Sequence, residues 1–359
     1  LVRSRGLGDV YKRQGKKMSK SLGNIIPLID AVKEYGADSV RLSILGNAEL
    51  LGDADFSSTL ARSVKSRLEK LYGLSGQIAR MDSREDLSEP EMIDRWLISR
   101  LQPRIKAATD AMEDLEVREA IQEAFYGIDH DVQWYLRRIG DRDLSSTHSS
   151  RTSKTLREVL DVWLRLLAPF VPHLCEEMWL KIGKKGYISN ADWPSADDSK
   201  IDLEAELRES LIESTLEDTQ NILKAVKIRP KRICYYVAAD WKWVAYLRIL
   251  EARSAGESDA GKITRLFMSD PDLRARGGEA ASYIRKTLQD VDRLDPFLLQ
   301  SRSASGRIDE LNTLRSGATL IKNELGTRVE VFAEDASRKY DPASRSSHAS
   351  PYRPAIYVE

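Results

Sequence analysis

Residues Ile121–Arg138 read IQEAFYGIDHDVQWYLRR. Ile121, Ala124, Phe125, Ile128, Val132 and Tyr135 recur three and four apart, which is the period of one helix face and not the alternation of a strand. Such a face must be covered, and its partners lie on both sides in the chain. Leu60, Val64, Leu68 and Leu71 form one further stripe, Ile93, Trp96, Leu97 and Leu101 a second, and Leu156, Val159, Leu160, Trp163 and Leu167 a third. Four or five amphipathic helices joined by short polar connections predict a helical bundle over 57–200. Pro103 falls inside one stripe and should kink or end that helix. DRDLSSTHSSRTS, 141–153, reads as a surface connection.

Further along, LLAPFVPHLCEEMW (166–179) breaks one helix at Pro169 and starts another near Pro172. Glu176 and Glu177 are expected in its first turn, where the helix dipole favours negative charge. Trp193 and Pro194 open a polar linker, SADDSK, and the bundle ends near residue 200. The last third changes character. RICYYVA (232–238), RVEVFAE (328–334) and IYVE (356–359) are short β-type runs. Helical stretches lie between them, at about 241–253, 278–290 and 308–325, so 201–359 predicts a small α+β domain.

Before the bundle stands IIPLIDAVKEYGADSVRLSILGN, 25–47. Pro27 suits a first helical turn, Gly36 a left-handed stop, and Asp38 the cap of a second short helix. Ahead of these helices is GKKMSKSLGN, 15–24, where Lys16, Lys17 and Lys20 crowd like charges together. Helix packing gains nothing from that; a bound polyanion would. Leu1–Gln14 has no amphipathic period and begins on Leu. It reads as a non-native lead, the alternative being a genuine basic tail.

Composition bounds the partners. With 56 Lys+Arg against 56 Asp+Glu the formal net charge is zero, so any nucleic-acid binding must use local basic faces. Cys175 and Cys234 are the only cysteines. They exclude a disulfide framework and a four-cysteine zinc site, and fit a reducing compartment, the cytoplasm. His173, Cys175 and Glu176 do not converge on a helix, so no metal site is expected. No apolar run reaches membrane-spanning length.

Lys17-Met18-Ser19-Lys20-Ser21 matches the KMSKS signature of class I aminoacyl-tRNA synthetases. Gly23-Asn24, Tyr35-Gly36-Ala37-Asp38 and Arg41 resemble its continuation in the leucine, isoleucine, valine and methionine enzymes. Trp134–Arg138 and Ala168–His173, with Glu176, Glu177 and Trp179, resemble the anticodon-binding helical domain. Tyr236–Ala238, Trp241, Lys242 and Pro354–Glu359 are similar to the C-terminal domain of archaeal and eukaryotic-type leucyl-tRNA synthetases.

The resemblance implies a leucine–tRNA ligase fragment, acting as a monomer on ATP, with Mg2+ in the full enzyme, and on tRNA(Leu). Lys20 would be the prime phosphate contact and Lys17 the second, with Met18, Ser19 and Ser21 completing the ATP-binding loop. Lys16 lies outside the signature and reads as a solvated lysine. The H-x-G-H half of the class is absent, so the catalytic Rossmann-type sheet is expected to be largely missing. The 359-residue chain should then be inactive without that half. Candidate tRNA contacts are Arg137 and Arg138, the alternative being pairing with bundle acids; the patch Lys227, Arg229, Lys231 and Arg232, the alternative being a solvated turn; and Tyr357 and Glu359 near the variable arm. Trp241 and Trp243 read as core anchors. The alternatives are a stand-alone tRNA-binding module and a fragment of a valyl or isoleucyl enzyme.

Overall fold

The computed structural model describes residues 12–13, 16–18, 25–47, 56–81, 89–140, 144, 150–257, 259–267 and 271–359. The chain divides into two compact units, Leu1–Ile201 and Asp202–Glu359.

The first unit opens on a two-residue ladder. Its strands are β1 (Lys12–Arg13) and β2 (Lys16–Lys17), with Lys12 opposite Lys17. The reading of 1–14 as a lead otherwise falls outside the described residues. Two short helices follow, α1 (Leu28–Tyr35) and α2 (Ala37–Leu45). Gly36 separates them at φ +88°, a conformation a side chain would strain. The bundle consists of α3 (Ser58–Arg80), α4 (Met92–Glu113), α5 (Val117–Ile121), α6 (Ile128–Arg138), α7 (Ser150–Leu167) and α8 (Pro172–Lys181). Ser57 caps α3 by accepting from the Leu60 amide, and Glu91 with Asp94 forms a capping box on α4.

Three local expectations change. Of the kink or end expected at Pro103, the end does not occur: helix α4 runs through it. The Gln102 side chain donates to the Ile98 carbonyl in the turn the proline weakens, and burial of Trp96, Leu97, Leu101 and Ile105 holds the rest. An interior proline costs ~3 kcal/mol, while each large apolar side chain buried contributes ~1.5–3 kcal/mol. The opening stripe is not one α-helix either, because Gln122–Gly127 is a π-helical turn between α5 and α6. Gly127 lets Arg104 of α4 lie against the backbone there; a Cβ would sit 2.9 Å from the guanidinium carbon. That guanidinium binds Glu123 at 2.6 Å and Asp131 at 3.1 Å, across the widened turn. Finally, α7 begins at Ser150, inside the stretch read as a loop.

The second unit starts with α9 (Leu203–Val226), which Asp202 caps through the Ala205 amide. Strand β3 (Arg232–Val237) is the centre of a three-stranded sheet in the order β4-β3-β5. It pairs parallel to β4 (Arg328–Ala333) and antiparallel to β5 (Ala355–Val358). A parallel neighbour needs a long crossover. Here the crossover comprises α10 (Asp240–Ser254), α11 (Ala260–Phe267), α12 (Pro271–Ala275), α13 (Gly278–Val291), α14 (Pro296–Ser305) and α15 (Glu310–Leu325). The runs read as strands are strands, within one residue at each end. A helical bundle in one unit and a small α+β part in the other are therefore the fold.

Both faces of β3 are covered. On one face the buried Tyr235 hydroxyl meets Thr219 of α9 at 2.8 Å. On the other, Cys234 and Tyr236 pack with Ala349 and Ala355, flanked by Phe332, Tyr340 and Tyr357. The segment 336–354 covers that second face and is tied down by Lys242. The Lys242 ammonium, 4% exposed, donates to the Ser347 and Ala349 carbonyls at 2.7 Å each and meets Glu334 at 2.8 Å. Trp241 and Trp243 are buried on the same helix as core anchors.

Candidate functional site

Of the lysine loop, Ser19, Lys20 and Ser21 lie outside the described residues, and Lys17 closes β2. What the structure does describe is the support immediately after the loop. Tyr35 and Phe56 pack with ring centroids 6.1 Å apart, in a small core with Ala31, Val40 and Ala61. Beside that core is an apolar hollow of about 570 Å³, lined among others by Met18, Ile26, Leu28, Val32, Ile44 and Phe56. Leu28 and Ile29 are exposed next to it.

The support is fastened to α3 through Arg62 and Lys65, which both meet Glu34, and to the segment around α8 at two further points. Arg41 of α2 donates to the Pro169 carbonyl at 3.2 Å. Asp38 accepts from the Leu174 amide and from His173 Nδ1, each at 2.7 Å. Sequence reasoning assigned Asp38 to the start of α2 and Glu176 and Glu177 to the first turn of α8. Helix α8 starts at Pro172, which leaves both glutamates in its second turn. Asp38 caps α8 instead of its own helix, which has no side-chain cap. It thus supplies the negative charge that the free N–H groups of α8 attract. Glu176 accepts from the Ile188 amide.

Asp38→Ala should destabilise this unit by ~1.5–3 kcal/mol, because a nearly buried carboxylate loses two charge-assisted bonds. The His173 side chain is 73% exposed. His173→Ala should therefore cost less than ~1 kcal/mol. Urea melts of both variants check this, and equal losses would mean that the histidine contact, not the helix cap, carries the link.

The other candidate residues divide by what already holds them. Arg137 lies over the ring of Trp134, 4.9 Å from its centroid, while Trp134 itself is buried. Arg138 is half-buried at the end of α6. Lys227 is the left-handed C-cap of α9, and with Arg229 and Lys231 it is exposed. Among the described residues these three make no ion pair. Arg232 differs from them: it bonds Glu330 at 3.2 Å and lies over the Tyr340 ring at 4.4 Å. The Tyr340 hydroxyl donates to Glu359 at 2.8 Å, and Tyr340 and Tyr357 meet edge to face at 6.2 Å. Arg232, Tyr357 and Glu359 thus come together on one sheet face, with Lys231 anchored beside them by its amide on the Glu359 carbonyl. Tyr340 was missed because it sits in a polar loop with no period of its own.

Burial pushes the Cys234 thiol up to about 11 and the Cys175 thiol well above its usual value. Neither is poised as a nucleophile. Among the described residues no group of three or more His, Cys, Asp or Glu is placed to hold a metal, and no helix is long and apolar enough to cross a membrane.

Two family models match the chain. "tRNA synthetases class I (I, L, M and V)" matches residues 5–57, and "Anticodon-binding domain of tRNA ligase" matches 94–234. The class is therefore that of the class I tRNA ligases. The leucine–tRNA ligase of Methanothrix thermoacetophila is 38% identical over 96% of this chain and 34% of its own length. That of Pyrococcus abyssi is 36% identical over 96% of this chain and 33% of its own. The chain belongs to the leucyl-tRNA synthetase family, as a C-terminal part. It spans about a third of the length of the curated relatives it matches. Likeness to a solved structure is slighter. The Agrobacterium radiobacter K84 AgnB2 LeuRS, in a ternary complex with tRNA and LeuAMS, gives a TM-score of 0.41 at 20% identity, over 64% of this chain and 26% of that one.

Proposed function

We propose that the chain supplies the phosphate-clamping loop and the tRNA-binding part of a leucine–tRNA ligase, and does not activate leucine alone. The observation that carries this is an intact KMSKS sequence at Lys17–Ser21 in a chain that aligns over 96% of its length with about a third of an archaeal leucine–tRNA ligase. In adenylate formation the leucine carboxylate attacks the α-phosphorus of ATP and pyrophosphate leaves. Negative charge grows on the β- and γ-phosphates. Lys20, with Lys17 behind it, is a flexible point charge that closes over them as they depart. Met18, Ser19 and Ser21 shape the loop and let its backbone approach. Mg2+ accompanies ATP in that reaction, and no residue of this chain is assigned to it. The leucine and adenine sites, with the nucleotide-binding sheet, belong to the remaining two thirds of the enzyme, for which the apolar hollow beside α1 and α2 is a natural seat.

The tRNA(Leu) contacts are placed on Arg137 and Arg138 of the bundle and on Lys227, Arg229, Lys231, Arg232, Tyr357 and Glu359 of the second unit. Three exposed cations beside a tyrosine pair join phosphate attraction to a surface on which a base stacks. Glu359 retains acceptor capacity for a base amino group. The chain is read as a cytoplasmic monomer.

The test has two arms. Leucine-dependent pyrophosphate exchange by the purified chain should be absent; activity would refute the division of labour. The chain should also bind transcribed tRNA(Leu) in preference to tRNA(Ile) and tRNA(Val), and lose that preference when the variable arm is deleted. Equal affinity for all three would remove the leucyl specificity from this part. A stand-alone RNA-binding module would pass the second arm and remain inert when the missing two thirds are supplied.

A further inference from the structure

Most arginines described in this chain are engaged. Arg104, Arg151, Arg165 and Arg253, for example, each meet a carboxylate. A second group in the Asp202–Glu359 unit, three cations and a histidine, is not. Lys286 on α13, Arg345 and His348 on the short 3-10 turn Arg345–His348, and Arg353 just before β5 are all exposed. Among the described residues, none of the four has an ion pair or a side-chain hydrogen bond. They converge on one hollow of about 520 Å³, whose floor includes Asn221 and Ala225 of α9 and Ala355 and Ile356 of β5. Asp218 is the only acid lining it.

The hollow's place on the sheet gives it meaning. Strand β5 leaves it at Ala355 and runs to Glu359, whose carbonyl accepts from the Lys231 and Arg232 amides. Four residues of strand cover roughly 13 Å, at ~3.3 Å each. The exposed group Lys227, Arg229 and Lys231 thus stands at one end of β5, and the group Lys286, Arg345, His348 and Arg353 at the other. Gathering unpaired like charges costs folding energy through self-repulsion, and a polyanion laid along them recovers it. A protein acid at Asp218 does not neutralise the set.

We propose that this hollow is a second phosphate-binding site, and that one RNA backbone lies along β5 from Lys286 and Arg353 to Lys231. The proposal rests on the reading of this unit as tRNA-binding and extends it to residues 286–353. Phosphate contacts of this kind position RNA without reading its sequence.

The test compares two variants of the full chain, K286Q/R345Q/H348Q/R353Q and K227Q/R229Q/K231Q, for binding to transcribed tRNA(Leu) between 50 and 200 mM salt. The hollow variant should raise Kd roughly tenfold at the lower salt and lower the slope of log K against log salt by about 3. Unchanged affinity and slope in that variant, with binding lost in the other, would overturn the second site and leave the tRNA reading standing. If the unaltered chain holds no tRNA at any salt, both fall. Binding of polyglutamate as tight as that of tRNA, and lost in the hollow variant, would make this a site for acidic protein and overturn the RNA proposal. Thermal melts check folding, and the milder R345Q/R353Q pair, with about two thirds of the slope change, replaces the quadruple variant should it not fold.

Discussion

Lys20→Ala, in this chain completed with the missing two thirds of a leucine–tRNA ligase, is expected to lower kcat for leucine-dependent pyrophosphate exchange by ~10²–10³-fold. That is the usual loss when one preorganised donor to a developing anion is removed. The effect should fall on kcat, with KM for leucine nearly unchanged, because in the proposed role the lysine meets charge that appears only as pyrophosphate departs. Lys20→Arg should keep part of the rate, since the charge remains while its reach and shape differ. Lys16→Ala should be close to neutral. Binding of tRNA(Leu) by the chain carrying Lys20→Ala should be unaltered. A parallel loss of tRNA affinity would show that Lys20 serves the RNA and not the nucleotide.

The largest effect on stability is expected at Asp94. This carboxylate is 2% exposed and joins three helices. It accepts from the Tyr135 hydroxyl of α6 at 2.6 Å, meets Arg151 of α7 at 3.0 Å, and accepts from the Glu91 amide at the start of α4 at 2.9 Å. Burial, reinforced by the Asp94 charge, pushes the Tyr135 phenol far above its ordinary value, so it stays a donor at any working pH. Asp94→Ala takes the carboxylate acceptor from the buried Tyr135 phenol and one of two carboxylates from Arg151, which keeps Glu91, and should cost ~3–5 kcal/mol. Tyr135→Phe removes one bond of the set and should cost ~1–2 kcal/mol. Denaturant melts of the two variants give the comparison. A loss below ~1 kcal/mol in Asp94→Ala would mean that the apolar stripes hold the bundle without this link.

Much of this was legible because it is periodic. The stripes through Leu60, Ile93, Ile121 and Leu156 each mark a helical stretch of the bundle, and RICYYVA, RVEVFAE and IYVE mark the sheet. What stayed hidden depends on residues distant in the chain. Nothing around Asp38 announces that its carboxylate caps a helix 136 residues later. The π turn at Gln122–Gly127 keeps apolar spacings that also fit an α-helix, and only the seat of Arg104 on Gly127 distinguishes it. Helix α9 is a different kind of omission. Asp202, Leu207, Leu211 and Leu216 carry a cap and a helical spacing that a reading centred on the strands passed over. The candidate site divides the same way. The KMSKS loop is a local word legible as sequence, although Ser19, Lys20 and Ser21 lie outside the described residues. Which cations are already paired, as Arg232 is and Lys231 is not, follows from neighbours that no spacing shows.

Lys242 has a consequence for chemistry done on the folded chain. Amine-reactive reagents need a neutral, accessible amine. This ammonium is enclosed by two carbonyls and the Glu334 carboxylate, so acylation must wait until the segment over the sheet lifts away. The exposed lysines at 224, 227 and 231 have no such shield. Labelling at Lys242, counted against labelling at those three, therefore measures how often the second unit opens, on the timescale of the reagent and without any probe being introduced.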